Sequence, residues 1–318
     1  MEKILFLEGK YREKIWGGKR LREIYSYDIP SDNTGEYWAI SDMGDMSSII
    51  TNGEFKGKSL EEVYQKHKDL FGNPKEATLP LLVKIIDANT DLSIQVHPDD
   101  TMARELENSR GKTECWYVLN EEPASIIYGL KVDDKNEAIK LIEERKWDEL
   151  LREIPAKKGD FFFVEAGTVH AIKKGSLILE IQQASDITYR LYDYDRKDDN
   201  GKLRDLHLEE SKKAIKINEN KEEIEEFKIE GLKGRVLTQN KYFEVYEYKI
   251  NGRSEFIKEN PYSLWSVVGG RGEILIDGKS YEIKKGDFFI LTDEVKKFEL
   301  RGEISLVESF TVEDKTFA

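Results

Sequence analysis

Short hydrophobic runs alternate with polar residues along most of the chain, and Gly, Asn or Asp bounds many of the runs. The runs are rich in β-branched and aromatic residues and include PLLVKIID, LSIQVHP, CWYVL, ASIIYGL, DFFFVE, LILEIQQ, YFEVYEYKI and GDFFIL. Such residues favour strands because they fit a pleated, half-buried surface, and runs this short with turn residues at their ends are typical of strands. The pattern therefore predicts a mainly β protein.

Other segments repeat their apolar residues three or four positions apart, which is the spacing of an amphipathic helix. These segments are residues 59–72, 133–153 and 221–227. Asp133 or Asp134 offers a side-chain cap for the second helix, and Pro155 is expected to end it. We therefore predict small helical insertions in a β framework.

A weak internal repeat links the two halves of the chain. IPAKKGDFFFVEAGTVHAI at 154–172 is echoed by YEIKKGDFFILTDEVKKFEL at 281–300, and both copies place KKGDFF where a turn leads into an apolar strand. The first copy continues to a histidine, which could bind a metal, whereas the second copy has lysines there. We therefore predict that the two halves form barrels of the same type and that the second barrel binds no metal. The charge-dense segment 208–235 indicates a solvated connector, so we predict domains at 1–215 and 216–318.

Composition argues against several classes of function. The chain has 318 residues with 50 basic and 63 acidic side chains, and its formal net charge of −13 argues against nucleic-acid binding. No run approaches the roughly 18 to 20 apolar residues of a membrane span, and the N-terminus lacks the apolar middle of a signal peptide. We therefore expect a cytoplasmic protein that binds no membrane. The single cysteine, Cys115, argues against both an internal disulfide and a cysteine-rich metal site.

A candidate metal site comes from four polar residues near strand ends. Gln95 and His97 lie two residues apart in SIQVHPDD, so their side chains share one face of a strand that Pro98 ends. Glu114 opens the strand of GKTECWYVL, and His170 follows the glycine-containing turn of EAGTVHAI. Imidazole nitrogen and carboxylate oxygen suit zinc, so these residues form a possible ligand set.

Each of these residues also has an ordinary structural interpretation. A lone histidine in a β protein is more often a hydrogen-bonded structural group, and a lone glutamate is more often a surface charge. Two of the four histidines nevertheless lie on apolar strand patterns, where burying a titratable ring needs a reason. Of the other two, His67 is expected to be solvated, and His207 has no partner that the sequence identifies.

Several motifs together resemble one family. QVHPDD, GKTECWYVL, GTVHAI and QQASDITYRLYDYDR are similar, in sequence and in order, to motifs of the type I mannose-6-phosphate isomerases, particularly the smaller bacterial form. KIWGGKRL, GEYWAISD and PLLVKIIDA extend the resemblance, which covers about residues 11–210. It implies two double-stranded β-helix barrels of the cupin or jelly-roll type, of which the first is catalytic.

The resemblance also implies one zinc ion per chain, held by Gln95, His97, Glu114 and His170. The segment before the glutamate, which is closer to HKPE in larger members of the family, is GKTE here and keeps Lys112. The implied reaction interconverts mannose 6-phosphate and fructose 6-phosphate through a cis-enediol intermediate.

Catalytic roles are implied for Arg190, Lys112 and Asp186. The family's active-site arginine falls on Arg190, and Asp186 matches a position implicated in proton handling. Moving a proton between C1 and C2 needs a base near the carbon and groups that stabilise the developing oxyanion. Asp186, Glu114, Lys112 and water at the zinc all remain possible bases, and Arg190 could instead form a plain ion pair with Asp186 or Asp193.

Substrate contacts are predicted for Lys84, Trp16, Arg190 and Lys112. An acidic protein needs local cations to hold a phosphorylated sugar, and these basic side chains supply them. Lys84 and Trp16 also have structural alternatives, because Lys84 could point outward from its strand and Trp16 could belong to the core.

Two other functions remain open. A different cupin enzyme, such as a metal-dependent sugar-phosphate epimerase or an iron dioxygenase, uses a similar set of ligands. A non-enzymatic sugar-binding cupin is the second alternative, since a fold alone does not decide function. The oligomeric state is left open between a monomer and a homodimer.

Overall fold

The computed structural model describes residues 2–197, 201–217 and 224–312. Strands dominate these ranges, which confirms the predicted mainly β class. The strands are β1 (Ile4–Glu8), β2 (Lys10–Gly18), β3 (Thr34–Ile40), β4 (Ile49–Ile50), β5 (Leu81–Asp87), β6 (Ile94–Val96), β7 (Glu114–Val118), β8 (Ala124–Leu130), β9 (Leu151–Ala156), β10 (Phe161–Val164), β11 (His170–Ile172), β12 (Leu177–Gln183), β13 (Tyr189–Tyr192), β14 (Glu225–Ile229), β15 (Leu232–Gln239), β16 (Phe243–Ile257), β17 (Ser263–Ile276), β18 (Lys279–Lys284), β19 (Phe288–Leu291) and β20 (Lys297–Thr311).

Short helices connect some of the strands. They are α1 (Arg20–Tyr25), α2 (Leu60–Lys66), α3 (Asp100–Glu107), α4 (Lys135–Glu143), α5 (Trp147–Leu150) and α6 (Leu208–Ala214), with 3-10 turns at Gly44–Met46 and Lys68–Phe71. Across the described ranges, no helix has the length and apolar character needed to cross a bilayer.

The helices predicted from the first two segments are present, with one correction. The helix predicted over 59–72 is confirmed as α2 and the 3-10 turn that follows it. The helix predicted over 133–153 is right in its first part, where Asp134 caps α4 by accepting a hydrogen bond from the N–H of Glu137 at 2.8 Å. Its last part is wrong, because Leu151–Ala156 forms β9.

Strand β9 forms because its backbone finds a partner that the local sequence does not reveal. It pairs antiparallel with β8, with Ile126 opposite Ile154. It is also an edge strand of its sheet, so Pro155 can lie inside it where a missing N–H costs no ladder bond. Pro155 therefore does not end a helix, as the sequence had suggested.

The third predicted helix is also wrong where the structure describes it. Residues 225–227 belong to β14, whose exposed Phe227 and Ile229 alternate with charged residues in the two-residue period of a strand. Residues 221–223 of the predicted helix lie outside the described residues. The predicted connector 208–235 accordingly contains α6, β14 and the start of β15.

The chain divides into two compact units that are not contiguous in sequence. The first unit contains Met1–Lys10, Trp38–Val83 and Glu222–Ala318, and the second contains Tyr11–Tyr37 and Lys84–Lys221. The first unit includes N-terminal residues because β1 pairs antiparallel with β19, with Ile4 opposite Leu291. The predicted boundary between 215 and 216 therefore divides the chain differently from the compact units.

A nine-stranded sheet forms the framework of the first unit. Its order is β14-β15-β16-β20-β17-β19-β1-β4, with β18 paired to β17. The KKGDFF repeat lies at equivalent turns: the N–H of Asp160 donates to Lys157 O, and the N–H of Asp287 donates to Lys284 O, both at 2.9 Å. The prediction that both copies form a turn leading into a strand is thus confirmed.

Two further sheets carry the residues of the second unit that matter for function. The six-stranded sheet has the order β10-β7-β12-β5-β3-β2, and the five-stranded sheet has the order β13-β6-β11-β8-β9. Apolar side chains from both sheets share one core cluster, which includes Trp16, Trp116, Ile172 and Ile178. The opposite face of the five-stranded sheet packs against α4, α5 and α6.

Candidate metal centre

Strand alternation brings the predicted metal ligands together on the inner faces of two sheets. Gln95 on β6 lies directly opposite His170 on β11, so their side chains project from the same face. Their strand neighbours on the other face, such as Val96 and Ala171, pack against the helices. Glu114 on β7 shares its face with Trp116, which lies in the core cluster.

His97, Glu114 and His170 lie close enough to hold one metal ion. His97 Nε2 is 3.4 Å from Glu114 Oε2, and His170 Nε2 is 3.4 Å from Glu114 Oε1. Zinc bonds of about 2.0 to 2.1 Å in a tetrahedral site separate neighbouring donor atoms by about 3.3 Å. The spacing of the donor atoms therefore fits zinc.

The hydrogen bonding of these residues also fits a metal. All three are buried, and neither nitrogen of His97 nor either oxygen of Glu114 has a hydrogen-bond partner among the described residues. Leaving a buried polar group unsatisfied costs about 1 to 3 kcal/mol, and more when the group is charged. Since the described residues leave these atoms without hydrogen bonds, a cation that both residues bind would offset that cost.

His170 is held in the tautomer that a metal ligand needs. Its Nδ1 is 2.9 Å from the carbonyl oxygen of Thr168. A carbonyl can only accept, so Nδ1 carries the proton and Nε2 keeps its lone pair. The turn before it has Gly167 at φ 101°, where a side chain would be strained and a Cβ would meet Lys216 Cγ at 2.7 Å.

Gln95 is positioned as a fourth donor. Its Nε2 lies 3.2 Å from His170 Nε2. The oxygen and nitrogen of an amide exchange places on a half-turn about the last side-chain bond, which would bring the oxygen to the same position. All four predicted ligands are therefore adjacent.

Burial and neighbouring charges keep these groups in the protonation states that suit a metal. Burial and the nearby Lys112 lower the pKa of His97 to about 3, and burial also lowers the pKa of His170. Burial alone would raise the pKa of Glu114, but the neighbouring ammonium of Lys112 holds it well below its ordinary value. The site therefore presents two neutral imidazoles and one carboxylate.

Lys112 lies beside Glu114, one of the predicted metal ligands. It is buried, and its Nζ is 3.4 Å from Glu114 Oε2. Its own N–H donates to the carbonyl of Pro98, and the next residue, Thr113, receives a hydrogen bond from the N–H of Ala166. These bonds join the three segments that carry the ligands.

Lys84 points inward and forms an ion pair that the sequence analysis missed. It is 5% exposed, so the outward alternative is wrong, and its Nζ is 2.8 Å from Glu180 Oε1. Glu180 also accepts a hydrogen bond from Trp116 Nε1 at 2.8 Å, and Trp116 packs edge-on against His170. A glutamate within the apolar run LILEIQQ was the available signal, because a charge buried there needs a partner.

The charges of this pair stabilise each other. Burial alone would lower the pKa of Lys84, but Glu180 and Glu36 outweigh it and raise that pKa. Burial and Glu114 raise the pKa of Glu180, and Lys84 opposes that rise. Two buried lysine–glutamate pairs therefore lie in this part of the core, Lys84 with Glu180 and Lys112 with Glu114.

Arg190 lies in the same cross-strand row as Gln95, opposite it on β13. Both aspartates proposed as its ion-pair partners are engaged elsewhere. Asp193 pairs with Arg196 and Arg204, and Asp186 pairs with Arg12. Arg190 has no ion pair with a carboxylate in the part of the chain that the structure describes, so the alternative of a plain ion pair finds no support there.

The remaining two predicted residues differ in their surroundings. The carboxylate of Asp186 is 54% exposed and lies 2.9 Å from Arg12 Nη1. Trp16 is buried in the core cluster with Ile86 and Trp116. Within the described residues, no contact joins Asp186 to the predicted metal ligands.

Comparison with known proteins identifies related chains. The family model described as phosphomannose isomerase type I, catalytic domain, matches residues 4–127, and the one described as mannose-6-phosphate isomerase, cupin domain, matches residues 233–311. A mannose-6-phosphate isomerase from Streptococcus mutans is 46% identical over 315 residues, which cover 98% of this chain and 100% of that protein.

Solved structures show the same similarity. The mannose 6-phosphate isomerase from Bacillus subtilis is 40% identical and superposes with a TM-score of 0.94 over 97% of this chain and 100% of that one. A zinc-bound mannose 6-phosphate isomerase is 15% identical, with a TM-score of 0.80 over 98% of this chain and 100% of that one. At that identity the second similarity concerns the fold alone.

Proposed function

The chain belongs to the type I phosphomannose isomerase family, and we propose that it is a zinc-dependent isomerase interconverting mannose 6-phosphate and fructose 6-phosphate. The relatives that are 46% and 40% identical over nearly the whole chain support this reaction. The observation that carries the proposal is the buried cluster of His97, Glu114 and His170, whose donor atoms all lie within 4.8 Å of one another.

We propose His97, Glu114, His170 and Gln95 as the residues that hold zinc, one ion per chain. Zinc bound there would act as a Lewis acid that stabilises negative charge developing on a substrate oxygen. The carboxylate of Glu114 would neutralise part of the metal's charge, while Trp116 and the apolar core beside it exclude water and strengthen the local electrostatics.

Cationic side chains are proposed to bind and polarise the sugar phosphate. Lys112 lies at the metal centre, and Arg190 lies in the row of Gln95 and His170. One of these two cations would also engage the phosphate. Lys84 adds positive charge beside Glu114, and Trp16 contributes apolar surface behind the ligands.

The isomerisation moves a proton between C1 and C2 through a cis-enediol, so a base must reach those carbons. Lys112 and Glu114 are buried at the centre, whereas Asp186 is half exposed and paired with Arg12. This arrangement favours a buried residue over Asp186 as the proton carrier. Asp186 remains the alternative proton carrier, and its ion pair with Arg12 is the contact on which that alternative has to build.

The remaining parts of the proposal concern architecture and setting. We propose that the chain contains two cupin-like barrels, and the cupin match at 233–311 supports the second of them. A cytoplasmic location accords with a single, buried cysteine. The proposed assembly is a monomer or a homodimer.

A coupled assay of fructose 6-phosphate formation from mannose 6-phosphate tests the function. It compares protein as purified, protein stripped with a chelator, and stripped protein restored with zinc. We expect activity to disappear with the chelator and to return with zinc. No turnover in protein that has bound zinc would overturn the proposed reaction, while full activity in stripped protein would overturn the role of the metal.

A further inference from the structure

The guanidinium of Arg190 is hydrogen-bonded through Nη1 and, among the described residues, has an unpaired Nε on its other edge, which we call the open edge. Its Nη1 donates to the carbonyl of Asp205 at 2.8 Å, whereas its Nε is buried and has no hydrogen-bond partner among the described residues. Nε and Nη2 form the edge with which arginine binds a carboxylate or phosphate through two parallel bonds. Arg204 uses the same two atoms on Asp193. Arg190 therefore keeps an anion-binding edge available.

The backbone of Arg190 is held from outside its sheet. Strand β13 is the edge strand, so backbone groups on its open side need partners that no neighbouring strand supplies. His207 supplies a partner for each backbone group of Arg190. Its N–H donates to the carbonyl of Arg190 at 2.8 Å, and its ring Nδ1 accepts from the N–H of Arg190 at 3.2 Å. With the Asp205 carbonyl, three hydrogen bonds join Arg190 to this short segment.

These bonds fix where the open edge points. The two bonds from His207 fix the backbone of Arg190, and the bond to Asp205 fixes the far end of its side chain. The ring of His207 also packs against Tyr189, with centroids 6.2 Å apart, and Tyr189 is buried in the core beneath the helices. The segment that holds Arg190 is therefore itself anchored at His207.

We propose that His207 is a positioning residue for Arg190, holding its open edge toward the anionic or developing oxyanionic part of the substrate. This inference rests on the proposed function, because it assigns Arg190 to substrate. A displacement of about 1 Å at a substrate-binding group can cost a large part of the rate, so loss of the Nδ1 acceptor affects catalysis without any contact between His207 and substrate.

The test compares two substitutions of similar size. His207→Asn keeps an acceptor, because the side-chain oxygen of asparagine can occupy the place of Nδ1, whereas His207→Leu removes it. We expect His207→Leu to lower kcat/KM for mannose 6-phosphate about tenfold, the effect of one hydrogen bond, and His207→Asn to recover most of that loss. Leu206→Ala, at an exposed neighbouring position, is the control for disturbance of the segment and keeps wild-type activity.

A second comparison asks whether His207 acts through Arg190. In an Arg190→Ala background, His207→Leu should change kcat/KM less than twofold, because the residue to be positioned is gone. Bound zinc and the midpoint of urea unfolding are measured for every variant. If His207→Leu does not fold, His207→Gln, whose longer side chain displaces the acceptor, replaces it.

Each result has a defined meaning. Equal activity of His207→Leu and wild type overturns the inference, and so does a loss that Asn does not recover or that remains in the Arg190→Ala background. These results leave the proposed isomerase function intact, because the wild type is active in all of them. An inactive, zinc-loaded wild type overturns the function and this inference together.

Discussion

Replacing Lys84 with methionine removes one member of a buried ion pair and keeps most of the side-chain volume. Lys84 Nζ lies 2.8 Å from Glu180 Oε1, and the two side chains are 6% and 4% exposed. In Lys84→Met, the carboxylate of Glu180 keeps its hydrogen bond from Trp116 but loses its nearest cation. Breaking a buried pair in this way leaves an uncompensated charge, which is strongly destabilising.

The size of the loss is limited by protonation of Glu180. A carboxyl group with an ordinary pKa of 4.5 becomes neutral at a cost of about 1.36 kcal/mol for each pH unit above that value. Neutral Glu180 therefore costs about 3.4 kcal/mol at pH 7 and about 0.7 kcal/mol at pH 5. Relief of the lysine's desolvation offsets part of this cost, so we expect Lys84→Met to lower the free energy of unfolding by about 2 to 3 kcal/mol at pH 7.

The loss should shrink on acidification. Without Lys84, the pKa of Glu180 in the folded state lies further above its unfolded value, because Lys84 no longer lowers it. A carboxyl with a raised pKa in the folded state adds most to the free energy of unfolding below its unfolded pKa. That contribution is lost as the pH rises through the folded pKa. Lys84→Met should therefore lie closer to wild type at pH 5 than at pH 7, since other titrating groups are common to both proteins.

Urea unfolding with excess zinc at the two pH values measures this effect. Adding Glu180→Gln to Lys84→Met removes the unpaired charge and keeps an acceptor for Trp116, so it should recover more than half of the loss. Lys66→Met is the matched control, because Lys66 is 66% exposed and pairs with Glu62 on a helix surface, where a pair contributes about 0.5 kcal/mol or less. A loss that is equal at pH 5 and pH 7, or that Glu180→Gln does not reduce, would refute the reasoning.

Three further predictions concern the site and the fold. Arg190→Ala and Lys112→Ala should each lower kcat about 100-fold with bound zinc unchanged, as expected for loss of one transition-state donor, and near-normal turnover would remove that residue from the mechanism. Glu114→Gln should weaken zinc binding at least about tenfold, measured as metal retained after dialysis against a weak chelator, and undiminished retention would argue against Glu114 as a ligand. Asp134→Ala should lower the free energy of unfolding by about 1 kcal/mol, because the N–H of Glu137 loses its cap, and an unchanged urea midpoint would contradict this.

The residues proposed as metal ligands stood out in the sequence because each lies near a strand end and carries chemistry that an apolar strand does not need. Gln95 and His97 share a face through the two-residue period alone, and His170 follows a glycine turn. Their convergence with Glu114 depends on which strands are neighbours. The resemblance to a family implied that the four residues form one ligand set, whereas the local sequence does not show which strands are neighbours.

The missed residues are those whose role depends on tertiary contacts. Glu180 lies opposite Trp116, and His207 lies beside Arg190, but neither relation is visible in the local pattern. The error at Leu151–Ala156 has the same origin, because pairing with β8 overrides a helical pattern that runs on from α4. Local periodicity therefore predicted α2 and α4 correctly. It failed at β9, where pairing with another strand determines the secondary structure.

The pairing of β1 with β19 has a consequence for biosynthesis. Leu291 is synthesised well after its partner Ile4, because 287 positions separate the two residues in the sequence. At about 5 to 20 residues per second, the N-terminal strand waits on the order of 15 to 60 s for the strand beside which it belongs. During that interval β4 is the neighbour available to β1, through Leu7 and Glu8, so the edge of β1 that later pairs with β19 stays without its strand partner.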